Sequence, residues 1–284
     1  MTTIRTHEMT LISVSSFGEE GPLVFHVAGR VLALGLVLLA SLPWVLASRE
    51  IDQKVPMSSR GEVSVEIIAG SLTFLPTDEA ELRIKGTLGD HVKDLEIDAD
   101  GESIEIGVEV ESGARRGDSF AELTIYLPSG ASIDVESVAA GISVKDLRGS
   151  IDIEVVSGDV HLSGIGGAVD IDVISGDVEL GGESLQSAAI ETVSGSISVN
   201  GGLVPGERYD FETVSGDIEL TVPSSVSARF EIATFSGEIK NDFGQAPERE
   251  SRWVPSKTLR FETGGGSARV SIECFSGTVK LRKH

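Results

Sequence analysis

The chain has 284 residues, room for one or two domains, and carries 45 acidic against 23 basic side chains, a net charge of −22. Such a surface repels nucleic acid and anionic lipid, which are held by basic side chains, and leaves cations, basic proteins and neutral glycans as partners. The single cysteine, Cys274, excludes an intramolecular disulfide framework and a multi-cysteine zinc site.

Residues 1–30 read as a leader. It is long for the start of an export signal and carries Glu8, Glu19 and Glu20, which points to a translation start further on, at Val24 or Val27. Residues 31–47 follow Arg30 as an apolar run, VLALGLVLLASLPWVLA. This run predicts a hydrophobic helix at the lower length limit for a bilayer span. Pro43 and the small-residue stretch Val45-Leu46-Ala47 before Ser48 fit a signal-peptidase site. The expectation is an export signal or an uncleaved anchor, with residues 48–284 in the periplasm or on the cell surface and membrane contact only through 31–47.

Beyond Ser48 no segment keeps a helical period, and strands are predicted throughout. Val63, Val65, Ile67 and Ile68, then Leu72 and Phe74, flank Ala69-Gly70. Simple strand patterns cover 81–88, 95–99, 103–111 and 121–127, with a hairpin turn at Asp98–Glu102. Ile133, Val135 and Val138, then Ile142 and Val144, flank Ala139-Ala140 in the same way.

A repeat then dominates. An apolar alternation, a Ser-Gly pair and a second alternation recur around Ser157-Gly158, Ser175-Gly176, Ser194-Gly195, Ser215-Gly216, Ser236-Gly237 and Ser276-Gly277. The glycines stand 18, 19, 21, 21 and 40 residues apart, the last step spanning an irregular stretch at 241–258 that holds Arg249, Arg252 and Trp253. Counting from the glycine, positions −7, −5 and −3 and positions +2 and +4 are apolar and predict strands with one buried face. Position −2 is apolar too (Val156, Ile174, Val193, Val214, Phe235, Phe275). That departure predicts a bend over −2 to 0, with glycine supplying the backbone conformation and serine bonding the local backbone. The twelve Ser and Gly residues are thus structural turn positions.

Two short strands per unit of about 20 residues predict an all-β, repetitive β-solenoid of the right-handed β-helix kind. A β-sandwich or roll is the alternative, since turn signals fall every 8–12 residues. The segments 156–162, 174–180, 193–199, 214–220 and 275–281, with Leu127-Pro128-Ser129-Gly130 and the run Gly264-Gly265-Gly266, resemble the bacterial "putative adhesin" family of β-strand repeat domains. The resemblance covers about residues 60–284 and implies a cell-envelope protein of the same repeat fold, with no catalytic residue to carry over.

Outward positions −4 and +1 are mostly acidic, which would stack carboxylates in columns about 4.8 Å apart. A Ca²⁺-binding face would use Asp159, Asp177, Asp217 and Glu238. The plainer expectation is a solvated face that keeps the array soluble, with no metal or cofactor. A glycan-degrading β-helix enzyme would need one desolvated carboxylate pair, whereas these acids recur regularly, so no catalytic residue is assigned. His161 falls on an outward position, Cys274 on an inward one, and Arg116-Gly117-Asp118 in a loop. Lys280, Arg282, Lys283 and His284 on the last strand read as edge protection or as complement to the acidic columns. The expected function is a non-enzymatic envelope protein offering an acidic surface to a protein or glycan partner. An envelope-sensing accessory is the alternative.

Overall fold

The computed structural model describes residues 49–100, 102–110, 120–249 and 254–284. The leader, the apolar run at 31–47, the Arg-Gly-Asp tripeptide and the pair Arg252-Trp253 lie outside the described residues. Within them the chain is all strand, turn and loop, and no helix is long and apolar enough to cross a membrane.

The N-terminal strands are β1 (Arg49–Pro56), β2 (Glu62–Thr77), β3 (Glu81–Leu88), β4 (Val92–Ala99), β5 (Ser103–Val110) and β6 (Ala121–Pro128). Then come β7 (Ser132–Lys145), β8 (Ile151–Ser157), β9 (Val160–Ser163), β10 (Ala168–Ser175), β11 (Val178–Leu185), β12 (Ser187–Ser194), β13 (Ile197–Leu203), β14 (Arg208–Ser215) and β15 (Ile218–Val222). The C-terminal strands are β16 (Ala228–Asn241), β17 (Glu248–Arg249), β18 (Lys257–Thr263) and β19 (Ala268–Lys283).

Each repeat is a bent coil of two strands meeting at the Ser-Gly corner, and corresponding residues of successive coils pair in parallel. Val155, Val173, Thr192, Thr213 and Cys274 stand beside one another through β8, β10, β12, β14 and β19, and Leu162, Leu180, Val199, Leu220 and Leu281 do so on the second strands. This pairing excludes an antiparallel sandwich for the repeat region. In β2, β7, β16 and β19 the strand continues through the corner, whereas the middle coils break there.

The inward positions form one continuous core. From Ile151 to Leu281 the residues at −7, −5, −3, +2 and +4 are buried, Asn241 being the one left partly exposed. Return segments between coils add Leu147, Ile165 and Leu185, a third row that alternation on the strands did not announce. Tyr209 reaches that row: its hydroxyl donates to the Leu185 carbonyl at 2.5 Å and accepts from the Val204 N–H at 2.8 Å, so the buried phenol is satisfied.

The order of coils in space is not the order in sequence. β19 pairs in parallel with β14 and β15 on one side and with β16 on the other. The last repeat is therefore an interior coil, and β16 is the outer one. At the opposite end β2 lies between β7 and the pair β5 and β6. Both terminal long strands are thus threaded into the stack. The expectation that Lys280 and Arg282 protect an edge is corrected by this topology. Lys280 lies 3.0 Å from Asp217 and Arg282 3.1 Å from Glu219, so they complement the acids of the adjacent coil.

Antiparallel strands close the two ends. β4 pairs with β5, and β1 with β3, which pairs with β6; at the far end β18 covers β16 and carries β17. The irregular stretch 241–258 accordingly belongs, where described, to this end cover. Ion pairs stud the covering strands, among them Arg83 with Asp52, Arg260 with Glu231 and Arg229 with Glu262. Short, charged, non-repeating strands at each end prevent further edge-to-edge growth.

Candidate functional site

The Ser-Gly corner comes first, because it positions everything beside it. A side chain on Gly176 would place its Cβ 2.0 Å from the carbonyl oxygen of Gly158, and one on Gly195 would stand 1.8 Å from that of Gly176. Glycine is required there by the coil lying alongside. Its N–H also bonds across coils: Gly158 donates to the Ser175 carbonyl at 3.0 Å and Gly176 to the Ser194 carbonyl at 3.1 Å. The serine thus acts through its main chain, in the stacking of coils, rather than in the local side-chain bond its sequence context suggested.

The aspartate at +1 clamps the same corner. Asp159 accepts from the N–H of Asp177 at 2.9 Å, Asp177 from that of Ser196 at 2.7 Å, and Asp217 from that of Thr278 at 2.8 Å. The N–H of Thr278, followed by the Lys280 ammonium, holds the Asp217 carboxyl below the ordinary carboxylate range. Three of the residues named as Ca²⁺ ligands therefore spend an oxygen on the neighbouring backbone, and Glu238 lies 3.7 Å from Lys240. Among the described residues no group of three or more His, Cys, Asp or Glu is placed to hold a metal ion.

His161 sits on the surface with Nδ1 3.2 Å from Glu179. Cys274 is buried, its thiol 3.5 Å from the Gly216 carbonyl, and burial pushes its pKa up, away from a reactive thiolate. Arg249 is exposed on the end cover.

The residues that sequence reasoning missed are those at −2. They were assigned to the bend; the structure turns them outward, where plain alternation from −7 would have put them. Stacking lines them up in the spatial order Ile68, Val138, Val156, Ile174, Val193, Val214, Phe275, Phe235, each 36–56% exposed. Apart from Val254, these are all the exposed large apolar side chains among the described residues. Scattered exposed apolar residues need no explanation; a single continuous row does. The signal was already in the sequence, as invariant apolarity at an outward position.

Beside that row runs the −4 column: Glu66, Glu136, Glu154, Asp172, Glu191, Glu212 and Glu273, ending in Ala233 on the outer coil. The two columns line a groove of about 850 Å³ along the stack, closed at the C-terminal end by Ser256, Lys257 and Thr258 of the cover. Lys257 donates to the Gly237 carbonyl at 2.7 Å, which ties the cover to the corner. Burial, then the neighbouring charges of Glu191 and Glu273, raises the Glu212 pKa, and burial, then Asp170, raises that of Asp172. The groove is a strip of apolar surface flanked by carboxylates that repel one another.

The Toastrack DUF4097 family model matches residues 59–207 and again 157–282, an overlap natural to a repeat. Among solved structures, the chain is similar to a "putative adhesin" from Bacteroides fragilis at 14% identity and TM-score 0.52, over 83% of this chain and 98% of that one. It is also similar to a "putative cell adhesion protein" from Clostridium sporogenes (11% identity, TM-score 0.38, 84% and 100% covered). A third is a "putative lipid binding protein" from Parabacteroides distasonis (13% identity, TM-score 0.28, 82% and 97% covered). No curated protein matches the chain significantly.

Proposed function

The chain belongs to the Toastrack DUF4097 family, and we propose that it is a non-enzymatic binding protein of the bacterial cell envelope whose working face is the groove along its β-solenoid. The observation that carries this reading is the gathering of the exposed large apolar side chains among the described residues, Val254 apart, into one row of eight, Ile68 to Phe235, on a strongly acidic molecule. Leaving such a row open to water is unfavourable and invites a partner to cover it. Export through residues 31–47 is part of the proposal, and the "putative adhesin" name of the similar Bacteroides fragilis structure agrees with a surface-binding role.

An enzymatic reading has less behind it. Among the described residues the groove's acids recur from coil to coil with no singular pair, whereas hydrolysis needs one. The test is binding of the purified domain to isolated bacterial envelopes. A variant carrying V156S, I174S, V193S and V214S should melt within a few degrees of wild type and bind at least tenfold more weakly. Equal binding by the two proteins would reject the groove as the working face.

A further inference from the structure

Resting on that reading, we infer that the groove takes a basic amphipathic helix, a peptide segment with apolar side chains on one face and Lys or Arg along its flank. Charge is the first argument. Some outward acids elsewhere have cationic partners: Asp52 has Arg83, Glu219 has Arg282, Glu231 has Arg260, whereas Asp134, Asp152 and Asp170 at −6 have none among the described residues and add to the same negative field. None of the seven groove carboxylates has a lysine or arginine partner among the described residues. Among the described residues the only cation lining the groove is Lys257, at its closed end. Uncompensated negative charge runs along the apolar row and stops where Ala233 faces the cover.

The backbone supplies the second argument. The strands run across the groove, and their N–H and C=O groups bond to the coils on either side. Along β8, β10, β12 and β14 each strand has a partner on both sides, so an added strand has nothing to pair with there and recognition falls to side chains. Eight rungs at about 4.8 Å make a strip roughly 34 Å long, the length of a helix of about 22 residues. Acidic and apolar columns lie two residues apart on the same strand face, about 7 Å. A helix resting on the apolar row therefore brings the long side chains of its flank within reach of the acids. At the closed end Phe235 and Phe275 replace the aliphatic side chains, which suits a bulky uncharged helix terminus. A second copy of this chain would set carboxylates against carboxylates, and anionic lipid would meet the same repulsion.

The experiment uses three labelled 22-residue amphipathic peptides, patterned Leu/Lys, Leu/Gln and Leu/Glu, titrated with the protein by fluorescence anisotropy at low and moderate salt. The Leu/Lys peptide is expected to bind one to one and to weaken as salt rises. I174S/V193S/V214S should weaken it at least tenfold and E191Q/E212Q at least threefold. E179Q/E183Q, which removes two charges outside the groove, should leave it unchanged. If Leu/Gln binds as tightly as Leu/Lys and only the serine variant loses both, the helix's charge is wrong and the groove stands. If the serine variant binds every peptide as wild type does, the groove fails as well. Equal loss in E179Q/E183Q reduces the effect to general charge attraction and overturns the inference. So does a concentration-dependent dimer that the serine variant abolishes, since a second copy would then be the occupant.

Discussion

Phe235 and Phe275 stack ring on ring, centroids 4.8 Å apart and planes within 8°, although forty residues separate them in the chain. They meet because the final strand is threaded between the coils that precede it rather than added at the end. The same threading continues the apolar row to the closed end of the groove.

Deleting residues 268–284 should therefore abolish cooperative folding. Removal of an outer coil would shorten the stack, but removing β19 takes one of two neighbours from each of β14, β15 and β16 and splits the stack. Circular dichroism melting is the measurement. A sharp transition only a few degrees lower than wild type would contradict the coil order.

Substituting Gly176 by Ala is expected to cost about 3 kcal/mol, because the new Cβ would press on the Gly158 carbonyl oxygen at 2.0 Å and the coils must part. Ser175→Ala, an exposed residue whose bond to the neighbouring coil is made by its main chain, should change stability by less than about 0.5 kcal/mol. Urea unfolding of both variants separates a steric requirement at the corner from a side-chain one; equal losses would disprove it.

Two carboxylates should respond to pH in opposite senses. The Glu212 pKa is raised in the fold, so its favourable contribution is complete below the ordinary carboxylate range and is lost as pH rises through the raised value. E212Q should therefore melt higher than wild type at pH 7, with the gain vanishing towards pH 4. The Asp217 pKa is lowered, so its contribution is present above the ordinary range and is lost as pH falls through the lowered value. D217N should be destabilised at pH 7 by less than about 1 kcal/mol, given its exposure to solvent, and should converge on wild type in acid. Melting curves across pH 3–8 test both signs.

Raising NaCl from 20 to 300 mM should raise the melting temperature, because unpaired carboxylates stacked at about 4.8 Å repel one another and salt screens them. Ca²⁺ and Mg²⁺ at equal ionic strength should act alike. A shift specific to Ca²⁺ would instead assign the acidic columns a metal-binding role.

Much of the fold was legible in the chain because alternation is local. A side chain at −3, such as Val155 or Thr192, turns inward whatever its neighbours do, so the inward set could be read residue by residue. The glycine corners were legible too, and the positive φ of Gly158, Gly176, Gly216 and Gly277 fits the backbone reason; the steric reason was not legible. The clash that demands glycine comes from another coil, and the donor–acceptor pair Gly176 and Ser194 is separated by a full repeat. The candidate groove was half visible, as the invariant apolar position beside an acidic one. Its meaning waited on the stacking of coils, which sets the −2 side chains of distant segments side by side.

Taken alone, the sequence determined the all-strand architecture, the unit length, the buried face and the acidity of the outer one, since each follows from side-chain period and composition. Coil order was left to the tertiary structure. Successive repeats present nearly equivalent faces, and local chemistry does not distinguish the neighbour β16 from the neighbour β19 for the coil of β14 and β15. The tertiary structure resolved that degeneracy through long-range pairing, bringing eight separate apolar residues into one row and covering its end with Lys257.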